Sequence, residues 1–153
     1  MSTKNSDQKY MKLALKEALK AMSLNEVPIG AVVVFDNRVI GKGFNQKEKD
    51  KEPTAHAEMI AIREAANYLA SWRLNKCVIY VTLEPCPMCA GALLQARIER
   101  LVFAAYDRKA GACGSLYNLV QDDRFNHQII VEQGILATQS RELLQNFFQQ
   151  LRK

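Results

Sequence analysis

The sequence has no apolar run approaching the ~18 residues that cross a bilayer. Its opening residues, MSTKNSDQKYMKLAL, also lack the charged-then-apolar order of a secretory signal. These absences argue against a membrane-spanning helix and predict a soluble chain working in the cytoplasm. Cysteine is sparse, with four residues at 77, 86, 89 and 113. Without an export signal, such thiols are expected to be reduced side chains, metal ligands or redox groups rather than a disulfide framework. Histidine is scarcer still, at positions 56 and 127 alone. Seven glycines, four prolines and no repeat or low-complexity stretch leave no linker at which to divide 153 residues, so residues 1–153 are expected to form one domain. Acidic excess is absent too: the net charge of +5 favours a polyanion as partner without requiring one.

What is present reads as alternating helices and strands. After a polar, loose start over residues 1–6, Met11, Ala14, Leu15, Ala18, Leu19 and Met22 recur at helical spacing. VPIGAVVVFDNRVIGKGF supplies two β-branched runs joined at Asp36 and Asn37, residues that tolerate a left-handed turn, and predicts a hairpin with strands near 28–35 and 38–44. NQKEKDKEP is a charged loop, after which Thr54 is expected to cap a helix carrying His56, Met59, Ile60 and Ile62. CVIYVTL is a short buried strand, followed by a helix over residues 87–97, the strand RLVFAA, a loop over 107–118, the strand IIVEQ and a helix over 140–151. This order predicts an α/β layer sandwich with some parallel pairing.

The chemistry centres on TLEPCPMCAGALL, where Cys86 and Cys89 stand three positions apart at a strand-to-helix turn. Alone, the pair could be a dithiol redox motif, with the helix N-terminus lowering a thiol pKa. TAHAE changes the balance, because it puts His56, 30 residues upstream, at the start of another helix. One imidazole and two thiolates make three ligands suited to zinc and leave a fourth position for water, the pattern of a catalytic centre. Cys77, Cys113 and His127 lack helpful spacing, and the simpler expectation for them is two buried structural thiols and a satisfied polar side chain. Glu58 lies two residues beyond His56 and so on a different helix face, poorly placed to ligate beside it. It can instead exchange a proton with a water whose pKa the metal lowers to about 7. Without the cysteines Glu58 would read as an ordinary first-turn glutamate favoured by the helix dipole.

His-Ala-Glu followed by Pro-Cys-x-x-Cys resembles the signature of the zinc nucleobase deaminases. EVPIGAVVV, GKGFN, PTAHAEM, TLEPCPMCAGAL, DRKAGACGSL and FNH resemble, in order, the bacterial tRNA-specific adenosine deaminases within the cytidine deaminase superfamily. The resemblance implies a three-layer α/β/α sandwich around a five-stranded mixed sheet, a homodimer and a tRNA anticodon stem-loop as substrate. It implies one Zn2+ per subunit on His56, Cys86 and Cys89, Glu58 as proton carrier, and deamination of the wobble adenosine to inosine. It also implies substrate contacts from Asn45, Val27, Pro28, Leu83, Asp107, Asn126 and Phe148. Each has a plainer role as a loop, core or surface residue, and Phe147 or Phe148 must help to bury the last helix. Lys109, Arg97, Arg100, Arg152 and Lys153 are candidates for phosphate contact, or merely a solvated basic surface. Three alternatives remain open: a free-base deaminase acting on guanine or cytosine, a zinc-stabilised RNA-binding module, and a dithiol oxidoreductase.

Overall fold

The computed structural model describes residues 3–152. Its spine is one mixed sheet in the order β2-β1-β3-β4-β5, formed by β1 (Gly30–Phe35), β2 (Arg38–Phe44), β3 (Val78–Leu83), β4 (Arg100–Ala105) and β5 (Ile130–Gln133). The β1–β2 hairpin turns at Asp36 and Asn37, both at positive φ (51° and 60°), as a tight turn matching strand twist requires. β1 is antiparallel to β3, whereas the β3–β4 and β4–β5 pairs are parallel. Successive residues of the central strands serve opposite faces. Val33, Ile79, Leu101 and Phe103 join the apolar cluster under α3 (Ala57–Leu69) and α4 (Pro87–Gln95). Val32, Tyr80 and Val102 join the one under α1 (Thr3–Ser23), the face that also carries α5 (Ala137–Leu151). Burial on both faces explains why these strands are nearly continuous in apolar residues. The three layers and the five-stranded mixed sheet are those expected.

Three strand glycines, Gly30, Gly41 and Gly43, let helices approach the sheet at main-chain distance. A Cβ on Gly43 would lie 2.3 Å from the Ala57 carbonyl oxygen, and one on Gly30 would lie 2.0 Å from that of Ala14. The first contact fixes the start of α3 against the end of β2, and with it the placement of His56 and Glu58.

Local differences from expectation have local causes. α1 begins at Thr3, so residues 3–6 are helical rather than loose; Met1 and Ser2, expected to be loose as well, lie outside the described residues, as does Lys153. One helical turn, α2 (Lys47–Asp50), interrupts the charged loop and ends at Lys51 with φ 52°. Thr54 does not cap α3: it lies in a turn, its hydroxyl donates to Glu52 Oε2 at 2.8 Å, and His56, in extended conformation, is the N-cap residue. The Asn45 side-chain oxygen serves that helix end instead, accepting from the Ala57 amide at 2.9 Å. α4 stops at Gln95, with Arg97 in the left-handed region, and α5 starts at Ala137 rather than Ser140. Buried Asp7 holds Arg100 bidentately at 2.8 and 2.5 Å and accepts from the Tyr80 hydroxyl at 2.8 Å; Glu132 also reaches Arg100. Arg100 is thus an internal anchor and is no longer a candidate for phosphate contact. Among the described residues, no helix is long and apolar enough to cross a membrane.

Candidate active site

Ligands of an open α/β sheet gather beyond the carboxyl ends of its parallel strands. Here that edge also receives the start of β1 and the end of β2, because both run antiparallel to their neighbours. A cavity of about 500 Å³ opens there, lined by His56, Glu58 and Cys86 together with Val27, Ile29, Asn45, Leu83, Tyr106, Asp107 and Phe148.

His56 and Cys86 occupy equivalent positions, as the N-cap residues of α3 and α4; Pro87, at the first position of α4, forgoes an amide that would have no helical partner. Cys89 follows in the first turn of α4 and is buried. His56 Nδ1 lies 3.6 Å from Cys86 Sγ and 3.4 Å from Cys89 Sγ. Tetrahedral zinc with bonds of about 2.3 Å to sulfur and 2.0 Å to nitrogen would space such donors about 3.5 Å apart. The donor chemistry and spacing therefore fit one soft divalent metal ion, and His56, Cys86 and Cys89 could hold it. Sharing a proton with Cys89, and beside His56, Cys86 is held down to about 4, while Cys89 is pushed far up; the hydrogen bond with Cys86 raises His56. One sulfur is already a thiolate before any metal arrives. Cys77 differs, since burial pushes its thiol up to about 11, as suits a structural side chain.

Glu58 is 4% exposed, and its burial, reinforced by the neighbouring Cys86 thiolate, pushes its carboxyl up to about 7. Its folded value thus lies above the ordinary 4.5, so the protonated carboxyl's contribution to stability is complete below that pH and is lost as pH rises through about 7. In the metal-stripped protein, Glu58→Gln is accordingly expected to be more stable than the parent at pH 8, by up to about 3 kcal/mol. The difference should vanish near pH 4.5, and denaturant titrations at the two pH values measure it. Equal differences at both would show that Glu58 ionises freely in the fold.

A family model for MafB19-like deaminases matches residues 5–152. The tRNA-specific adenosine deaminase of Bacillus subtilis is 50% identical over 147 residues, covering 96% of this chain and 91% of the relative. The chain belongs to this deaminase family. The Haemophilus influenzae tRNA-specific adenosine deaminase is 48% identical, covering 96% of this chain and 86% of its own. A solved structure from work on A-to-I editing by tRNA:A34 deaminases at the wobble position of transfer RNA superposes with a TM-score of 0.86. It is 43% identical and covers 89% of this chain and 99% of that one. The guanine deaminase of Nitrosomonas europaea shares the fold, with a TM-score of 0.79 at 23% identity over 92% of this chain and 83% of its own.

Of the residues that the resemblance makes substrate contacts, Val27, Asn45, Leu83, Asp107 and Phe148 line this cavity. Pro28 does not: it is buried beside the lining, and Val27 and Ile29 show their side chains instead. Asn126 is exposed in a separate depression with Gly91, Phe125 and His127. His127 Nε2 lies 2.8 Å from the Ile98 carbonyl, the satisfied polar role expected for it. Arg97 lines that second depression and donates to the Leu94 carbonyl, whereas Lys109 does line the catalytic cavity; Arg152 is exposed beyond α5.

Sequence reasoning passed over Glu84, which the cavity also shows. Only 2% exposed, it accepts from the amides of Asp107 (2.9 Å), Cys113 (3.0 Å) and Ser115 (2.9 Å) and from the Ser115 hydroxyl. Gly111 lies so close that an added Cβ would sit 2.2 Å from the Glu84 carboxyl carbon. One carboxylate thus gathers the loop that presents Tyr106, Asp107 and Lys109. An acid buried inside the TLEP turn was the available signal. Tyr106 and Leu144 were also missed as lining residues; Tyr106 stacks edge-on against Phe103 at 5.2 Å.

Proposed function

We propose that this protein hydrolyses adenosine to inosine and ammonia at the wobble position of a tRNA anticodon. The observation that carries this is one cavity that unites His56, Cys86 and Glu58 with Asn45, Asp107 and Phe148, in a chain about half identical to tRNA-specific adenosine deaminases. His56, Cys86 and Cys89 hold one Zn2+ per subunit, which when bound supplies an activated water. Val27, Ile29 and Leu83 give the flipped base an apolar slot. The Asn45 oxygen is committed to Ala57, so its amide NH2 is the group that remains for the substrate. Asp107 accepts from the Lys109 and Ala110 amides at 3.1 and 3.2 Å, which holds its carboxylate ready for a ribose hydroxyl. Phe148, 41% exposed, offers a face to a neighbouring base. Glu58 takes one proton from the attacking water and delivers it to adenine N1 as the oxygen bonds C6, then takes the remaining hydroxyl proton and gives it to the amine, which leaves C6 as ammonia. The enzyme works in the cytoplasm as a homodimer.

The test is to incubate the zinc-loaded protein with an anticodon stem-loop bearing a wobble adenosine, beside free adenosine, guanine and cytosine. Inosine in the RNA alone is expected, abolished by chelation and restored by Zn2+. Turnover of a free base would make the protein a free-base deaminase instead.

A further inference from the structure

We infer that a lysine-lined groove between α1 and β2 is a second RNA-binding surface, which takes the phosphate backbone of the substrate outside the loop being edited. This rests on the proposed tRNA substrate. The groove encloses about 380 Å³ and is lined by Leu13, Lys16, Glu17, Lys20, Val39 and Lys42. Lys12 and Lys16 are exposed one turn apart on α1, and Lys42 points to the same side from the edge strand.

The nearby acids do not cancel this charge. Glu17 pairs with Lys20 at 2.6 Å. Asp7 is consumed by Arg100, and Glu26 by the amides of Glu48 and Lys49 at 3.2 and 2.6 Å. Among the described residues no carboxylate forms an ion pair with Lys16 or Lys42. Lys16 and Lys42 therefore leave the groove with a local positive charge.

The groove is continuous with the cavity along the chain. α1 leads through Glu26 to Val27 in the cavity wall, and Lys42 stands three residues, about 10 Å, before Asn45 on β2. Lys47, which lines the cavity, stands just beyond Asn45 on α2, whose amides Glu26 holds. Cations therefore run from the catalytic rim to the middle of α1. The lysine ammonium groups are point charges on flexible stems, so the recognition is of backbone charge, without sequence preference.

The decisive comparison is between Lys16→Gln/Lys42→Gln, the parent, and Lys76→Gln as a control at the opposite end of the sheet. A tRNA with a wobble adenosine and its anticodon loop alone as a short single strand serve as probes, with Kd measured over a range of salt. The double variant should bind the tRNA about tenfold more weakly at low salt. Its slope of log Kd against log salt should be shallower by roughly 1.5 to 2, since each phosphate contact contributes about 0.9 for duplex. Affinity for the loop strand and the melting temperature should be unchanged. A tRNA slope equal to that of the parent, or an equal loss on the loop strand, would overturn the groove. Inosine measured in the same mixtures is a separate matter: its absence with the parent protein would refute the proposed activity, while the slopes would still decide the groove.

Discussion

Glu58→Ala is expected to lower kcat for wobble deamination by about 10³-fold, with zinc content and RNA affinity close to those of the parent. The loss is large because the cavity's other carboxylates and its donor triad are otherwise engaged. His56 and Cys86 are the side chains that would hold the metal, the Asp107 carboxylate accepts from its own loop amides, and Glu84 is saturated by four donors. Burial raises the carboxyl's proton affinity, which favours its taking a proton from water. Metal analysis beside single-turnover kinetics separates the proposed role from a structural one. A variant that lost zinc together with activity would place Glu58 in the metal shell instead.

Glu84→Ala should be the most damaging substitution that touches no ligand. It removes the acceptor for three main-chain amides and a hydroxyl that water cannot readily reach. Hydrogen bonds to a charged group contribute about 1.5–3 kcal/mol each, and donors left buried add their own penalty, so a stability loss of about 4 kcal/mol or more is expected. The 106–115 loop should loosen, raising KM for the RNA far more than it lowers kcat, because Tyr106, Asp107 and Lys109 are carried by that loop while Glu58 is not. Thermal melting and the split between KM and kcat test both parts. Glu84→Gln, which keeps an acceptor, should recover a portion of each.

These two glutamates mark what the sequence could and could not reveal. Glu58 was legible because a metal triad has fixed chemistry: one histidine and a Cys-x-x-Cys at helix starts call for a proton carrier beside them. Glu84 was not, since its partners lie 23 to 31 residues further on, in a loop whose path no local pattern specifies. The hairpin was readable from Asp36-Asn37 and from β-branched runs on either side. The cap of α3 was misplaced onto Thr54 because local spacing favours it, whereas the actual acceptor comes from Asn45, across the turn that follows β2. Arg100 was taken for a surface cation for the same reason, its partner Asp7 lying 93 residues away. The seven substrate contacts came from resemblance; five of them line the cavity, whereas Pro28 is buried beside it and Asn126 lies exposed in a separate depression.

That long Asp7–Arg100 link also has a temporal side. α1 is made before the groups that fasten it, since Tyr80 and Arg100 lie 73 and 93 residues beyond Asp7. At about 5–20 residues per second, Arg100 follows Asp7 by roughly 5 to 20 s. Throughout that interval Tyr10, Met11 and Ala14 have no finished sheet to cover them. The nascent chain therefore carries the apolar face of α1 for seconds before the sheet can cover it.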